Sequence, residues 1–187
     1  MTDTNGTSFA SRIADPGPLG LAAFAMTTFV LSAANADLFK AEPVVFGLAL
    51  CYGGIAQILA GMWEFAKGNT FGATAFTSYG AFWMSFWYLT NHTTFDTSLS
   101  GDQVHHGIGV FLLAWTIFTA YMLVCSLRTN PFLIAVFGLL TVTFLLLTLG
   151  ELNVNMHLHH AGGWFGLATA AVAWVTSAKG VLASTKS

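Results

Sequence analysis

Six apolar stretches separated by short polar breaks organise this chain: Leu19 to Ser32, Val44 to Trp63, Phe71 to Leu89, Gly107 to Leu127, Phe132 to Leu149 and Trp164 to Leu182. Most approach or reach the ~20 residues that a helix needs to cross a bilayer, and the first extends through small residues to Asn35. The breaks at Asp37 to Pro43, Lys67 to Thr70, Asn91 to Asp102, Arg128 to Pro131 and Glu151 to His160 collect turn formers and charges. The pattern predicts an all-α membrane protein with six transmembrane helices. No break is long enough for a second domain, so the chain divides into an N-terminal segment 1–17, a transmembrane domain 18–183 and a tail 184–187. The first seventeen residues lack the basic start and small-residue cleavage site of a signal peptide and are expected to stay in the mature chain.

Composition narrows the class. The 187 residues are 55% hydrophobic and 7% charged, with a mean hydropathy of +0.68, whereas an ordinary soluble domain is about 25% charged. Neither an enzyme nor a nucleic-acid partner is expected. Once six crossings are accepted, Arg12, Lys67, Arg128, Lys179 and Lys186 fall on one side and Lys40 on the other. The excess of basic residues then puts both termini in the cytoplasm. Asp37, Glu42, Asp96, Asp102 and Glu151 make the opposite face acidic, a pattern that reads first as solvated loops. Cys51 and Cys125 sit within apolar segments, where a structural thiol is the default.

The membrane interior carries almost no fixed charge; only Glu64 and Lys179, near cytoplasmic helix ends, are clearly within the six stretches. Hydroxyls and one amide take the place of charges: Thr27, Thr28 and Ser32, then Gln57, then Thr74, Thr77, Ser78 and Tyr79, and later Thr141. Each is able to bond a polar solute or a neighbouring helix. Hydrocarbon satisfies neither end of the Gln57 amide, so it must face protein or water. Gly53, Gln57, Gly61 and Glu64 share one helix face, which reads either as a small-residue packing seam or as a pathway lining. Tyr79 and Gly80 interrupt the third stretch ahead of an aromatic set reaching Tyr88, which has the look of an interfacial belt.

Asp15-Pro16-Gly17-Pro18 stands at the mouth of the first stretch, where Pro costs nothing and an acid caps free N–H groups. His105-His106 and His157, His159 and His160 raise a haem or metal alternative at the outer face. They lack ligand spacing with an acid or cysteine, which favours solvated or capping roles, and no cofactor is expected. A pore for small neutral solutes is a further alternative.

Asp15 to Leu21 with Met26-Thr27-Thr28, Tyr52 to Gln57, Ala60-Gly61 with Glu64, Gly68-Asn69-Thr70-Phe71-Gly72 and Thr74 to Gly80 together resemble the acetate uptake transporter family. The resemblance runs from Asp15 to about Leu182, more loosely in the later stretches, at Leu140-Thr141-Val142 and His160 to Gly166. It implies a homohexamer in the inner (plasma) membrane, each protomer passing acetate and related small carboxylates such as succinate by proton symport or channel-like flow. It places the family's apolar constriction on Phe24, Tyr79 and Leu140. The polar pathway then falls to Thr27, Thr28, Gln57, Thr74, Thr77, Ser78 and Thr141. The entrance and its helix caps fall to Asp15, Pro16, Pro18, Glu64, Asn69, Thr70 and His160. Where the family opens Asn-Pro-Ala-Pro, this chain has Asp15 and Gly17 in the first and third places. An acid there repels a carboxylate unless it is paired, and Arg12 is the candidate partner.

Overall fold

The structure, a computed structural model, describes residues 13–185; Arg12 and Lys186 lie outside them. It is built of helices: α1 Gly17–Asn35, α2 Phe46–Leu50, α3 Gln57–Lys67, α4 Thr70–His92, α5 Gly101–Ser126, α6 Pro131–Leu152 and α7 Met156–Ser184. A 3₁₀ turn at Glu42–Val45 leads into α2, and a π-helical segment, Cys51–Ala56, joins α2 to α3. Five helical spans, with Glu42–Lys67 as one of them, are long and apolar enough to cross a membrane. The remaining long helix, α4, has 23 residues and no Asp, Glu, Lys or Arg, but is less apolar. The chain is an all-α, multi-pass membrane protein.

Short polar side chains start four of these helices. The Asn69 Oδ1 accepts from Gly72 N at 3.2 Å, Asn130 Oδ1 from Leu133 N at 3.0 Å, and Asn155 Oδ1 from His157 N at 3.0 Å. Ser100 and Gln103 cap each other's backbone in a reciprocal box. These caps lengthen α5 and α7 beyond the apolar stretches. His105, His106, His157, His159 and His160 therefore lie on helices rather than in loops. At the far end of α3, Gly68 adopts φ 79°, the left-handed conformation that closes a helix without a Cβ clash.

Three further expectations are corrected. Helix α4 runs unbroken through Tyr79 and Gly80. Gly80 serves close packing instead, since a Cβ there would stand 2.9 Å from the Gly54 carbonyl oxygen. The Val44 to Trp63 stretch is not one uniform α-helix, because the Cys51–Ala56 segment is wound wider. Both cysteines are exposed on the helix surface instead of packed inside.

The helices form a ring: α1 packs on α7, α7 on α6, α6 on α5, α3 on α4, and the π segment with α3 closes back onto α1. Between α4 and α5 the backbones stay farther apart, and large rings bridge the gap. Phe82 stacks on Phe111 with centroids 6.0 Å apart and meets Trp115 edge-on at 5.1 Å. The ring's outer surface exposes Leu59, Trp63, Val110, Ile117 and Val124, an apolar coat suited to lipid.

Candidate functional site

The N-termini of α1, α4 and α6 and the last turns of α3 and α7 meet at one end of the bundle and enclose a cavity of about 580 Å³. Gly17 and Pro18, Phe71 and Gly72, and Asn130 to Leu133 bring the three N-termini to its wall. Each such terminus presents unsatisfied N–H groups and the positive end of a helix dipole. Lys179 adds a full positive charge, its Nζ resting 3.8 Å from the centre of the Phe132 ring.

Two carboxylates partly balance this field. Asp15 accepts from Gly17 N at 3.3 Å, the cap foreseen from sequence, and pairs with Lys67 Nζ at 3.2 Å. Lys67, 52 residues away, supplies a cation for Asp15; Arg12, the candidate partner from sequence, lies outside the described residues. Glu64 is 2% exposed, and its Oε2 accepts from Asn69 Nδ2 at 2.8 Å. Asn69 thereby ties Glu64 to the start of α4. The Asp15–Lys67 pair is solvent-accessible, and such pairs are worth about 0–1 kcal/mol. Asp15→Asn is accordingly expected to leave thermal stability almost unchanged. With one negative charge fewer at the mouth, anion entry should quicken about twofold at low ionic strength and less in high salt, read as initial uptake rate against salt concentration.

Deeper in, the lining turns apolar. Phe24, Tyr79 and Leu140 are 5%, 3% and 3% exposed and line the cavity together, with Phe137 and Val136 beside them. Tyr79 packs against Phe24 at 5.8 Å between ring centres and edge-on against Phe118 at 5.4 Å. Its hydroxyl donates to Thr119 Oγ1 at 2.9 Å, and Thr119 donates to the Trp115 carbonyl at 2.7 Å. The phenol is therefore fixed to α5 through Thr119, a residue the sequence reading did not single out.

Gln57 reaches the same cavity. It is 1% exposed, and its Oε1 is buried with no hydrogen-bond partner. Its neighbours on the shared face divide the two roles read from sequence. Gly53 abuts Thr27 of α1 and Gly61 abuts Thr77 of α4, while Gln57 and Glu64 face the cavity. The face is both a seam and a lining, and it lies where the π segment hands over to α3.

The other predicted polar residues stand away from the cavity wall. Thr27 and Thr141 donate to the carbonyls of Ala23 and Phe137, four residues back on their own helices. Thr28 and Thr77 have buried hydroxyls without partners but do not line the cavity, and Thr74 and Ser78 are partly buried outside it. Pro16 and Thr70 flank the helix starts, and Asn69 acts as a cap. His160 lies at the opposite end of the bundle, near Asp37. At that end His105 Nδ1 and His159 Nδ1 approach the two Glu151 carboxylate oxygens at 2.7 and 3.4 Å, so these histidines do have an acidic companion.

Comparison with known proteins gives a consistent picture. Residues 4–187 match the GPR1/FUN34/yaaH family. The chain is 42% identical over 193 residues to acetate permease A of Emericella nidulans, covering 95% of this chain and 65% of that protein. It is 40% identical over 157 residues to the succinate-acetate/proton symporter SatP of Escherichia coli strain K12, covering 84% of this chain and 82% of that one. The solved structure of the bacterial acetate channel SatP superposes with a TM-score of 0.85 at 37% identity, covering 93% of this chain and 95% of that chain. The chain spans less than two thirds of the length of the permease from Emericella nidulans and of several other relatives it matches.

Proposed function

The chain belongs to the GPR1/FUN34/yaaH family, and on that premise we propose that it carries acetate and related small carboxylates across the membrane through a pathway within each protomer. The observation that supports this reading is the single cavity wall on which Gln57, whose Oε1 is buried without a partner, three helix N-termini and Lys179 converge below an apolar ring.

The mechanism follows from these groups. The helix termini and Lys179 draw a small anion into the vestibule, where it is still hydrated. Gln57 offers a donor and an acceptor side by side, matching the C=O and O–H of a protonated carboxylic acid. Its unpartnered Oε1 is costly while nothing donates to it and is satisfied when an acid O–H arrives. The neutral acid, or the anion passing quickly between weak sites, then crosses the Phe24–Tyr79–Leu140 ring, where water is excluded and a bare carboxylate would be penalised. Proton-coupled symport and channel-like flow both use this sequence of groups.

We extend the reading to the whole chain. Six crossings, with α4 as the third and both termini in the cytoplasm, follow from its length and from the basic residues Lys67, Arg128 and Lys179. The vestibule at Asp15 is then cytoplasmic and the Glu151 end is external. Residues 1–17 and 184–187 flank a membrane domain at 18–183, placed in the plasma membrane. Its apolar flanks suit assembly as a homohexamer. The polar residues Thr27, Thr28, Thr74, Thr77, Ser78 and Thr141 serve beside Gln57 wherever helix movement exposes them to the pathway.

The test is uptake of labelled acetate into proteoliposomes holding the purified chain, with and without an imposed pH gradient. Uptake above protein-free vesicles, competed by other short carboxylates, is expected. Gln57→Leu should cut it about tenfold or more, the equivalent of one lost hydrogen-bonded contact worth about 1.4 kcal/mol. No uptake at any gradient overturns the reading.

A further inference from the structure

The external end of the bundle holds a polar cluster that this pathway does not use. Glu151, at the end of α6, has a side chain only 13% exposed, flanked by His105 of α5 and His159 of α7. The other ring nitrogen of His159, Nε2, stands 3.3 Å from Oδ1 of Asn35, the last residue of α1. One carboxylate thus joins the outer ends of α5, α6 and α7, and one imidazole passes the link to α1.

This cluster stands in line with the constriction. Asn35 follows Phe24 by eleven residues on α1, and Glu151 follows Leu140 by eleven on α6. Eleven residues make three helical turns, so each pair shares a helix face about 16 Å apart. Buried hydroxyls occupy the interval on α5: Thr119 bonds Tyr79, and one turn outward Thr116 bonds Thr148 of α6 at 2.9 Å.

We infer that Glu151, His105 and His159 form a proton-binding site at the external end of the pathway, and that Asn35 transmits its charge to α1. The inference rests on the transport reading above. The His105 Nδ1–H donates to the Glu151 carboxylate at 2.7 Å, and with the proton of a neutral His159 on Nδ1, 3.4 Å from the other carboxylate oxygen, its Nε2 is a lone pair facing the Asn35 amide oxygen. A proton from external water taken up at Nε2 turns that opposition into a hydrogen bond and completes an ion pair with Glu151. On losing the proton, the Asn35 amide must rotate and donate through its NH₂. The end of α1 therefore has two arrangements, set by one proton. The other charged and titratable residues at this end of these elements are His106 and Asp102 on α5, His157 and His160 on α7, and Asp37, Lys40 and Glu42 after α1. Asp37 is paired with Lys40, and that bond holds its carboxyl below the ordinary carboxylate range. Asp37 therefore stays ionised at neutral and mildly acidic pH.

The experiment uses the full chain in proteoliposomes with the internal pH fixed and the external pH stepped from about 7.5 to about 5.5. After subtraction of the protein-free leak, wild-type uptake should rise on acidification, and His159→Gln and Glu151→Gln should flatten that rise at least threefold. In parallel, ¹⁵N imidazole NMR titration of the full chain in detergent should show Glu151→Gln moving the midpoints of both His105 and His159 while leaving His92 in place. If the variants keep the wild-type pH profile, or the two histidines titrate independently of Glu151, the inference fails. Should a variant fail to fold, Asn35→Asp decides the matter, because a carboxylate beside Nε2 must displace the His159 midpoint if the contact exists. A wild-type chain that takes up no acetate overturns the transport reading, and the NMR titration then still decides whether the proton site exists.

Discussion

Replacing Tyr79 with alanine is expected to raise acetate flux and to admit bulkier carboxylates, at a marked cost in stability. In the proposed constriction the ring touches Phe24, Trp115, Phe118 and Phe137. Its removal opens space that those neighbours, held on three different helices, cannot wholly refill. Where the walls part, water enters and the dehydration penalty on the passing carboxylate falls. A barrier lowered by about 1.4 kcal/mol is a tenfold faster crossing, and the gain should be larger for a branched carboxylate than for acetate. Truncating a buried aromatic costs about 3–5 kcal/mol in soluble cores, so the melting temperature in detergent should drop clearly. Tyr79→Phe separates the two effects. It keeps the ring and loses only the bond to Thr119, worth about 1 kcal/mol, so size selectivity should survive. Uptake ratios for the two carboxylates, measured beside thermal melts, decide the point. A fall in flux for both substrates in folded Tyr79→Ala protein would mean the ring guides substrate and does not obstruct it.

The residues of the proposed constriction lie far apart in sequence, and their assignment rests on resemblance to a family; hydropathy alone marks them only as apolar. Gln57 was legible from physics, because an amide in mid-span has to be turned toward something polar. The hydroxyls were not. A threonine inside a helix satisfies itself on the carbonyl four residues back, as Thr27 and Thr141 do, and sequence does not say which hydroxyl is left over. Hydropathy also starts α5 and α7 late, past their polar first turns. Ser100 with Gln103, and Asn155 before Met156, were the capping signals that mark the true starts. Reading them would have moved the histidines onto helices and within reach of Glu151. The pairing of Asp15 with Lys67, and the wide π turn ahead of Gln57, arise from contacts between segments and leave no local pattern to read.

The close approach of α1 and α7 makes Gly163 the position where a larger residue should do most harm. A Cβ at Gly163 would stand 2.7 Å from the backbone carbonyl carbon of Asn35 and closer still to the nitrogen of Ala36. Backbone cannot rotate aside as a side chain does, so a leucine must push the two helices apart along their most extensive contact. Overpacking a well-packed core costs about 1–3 kcal/mol, and more where backbone has to move. A membrane offers little compensation, since helix association there depends on the packing that small residues allow. Gly163→Leu is expected to lower the melting temperature and the yield of folded protein more than any other single glycine-to-leucine change on α7's inner face. Gly107→Leu is the control, because a Cβ there meets nothing within 4 Å and the substitution improves helix propensity. The same displacement moves Asn35 away from His159 and carries Phe24 outward with the rest of α1. Gly163→Ala, a smaller intrusion, should therefore weaken acetate uptake and its response to external pH together, while Gly107→Leu alters neither. Equal melting temperatures for Gly163→Leu and Gly107→Leu would show that the two helices are not in contact as described.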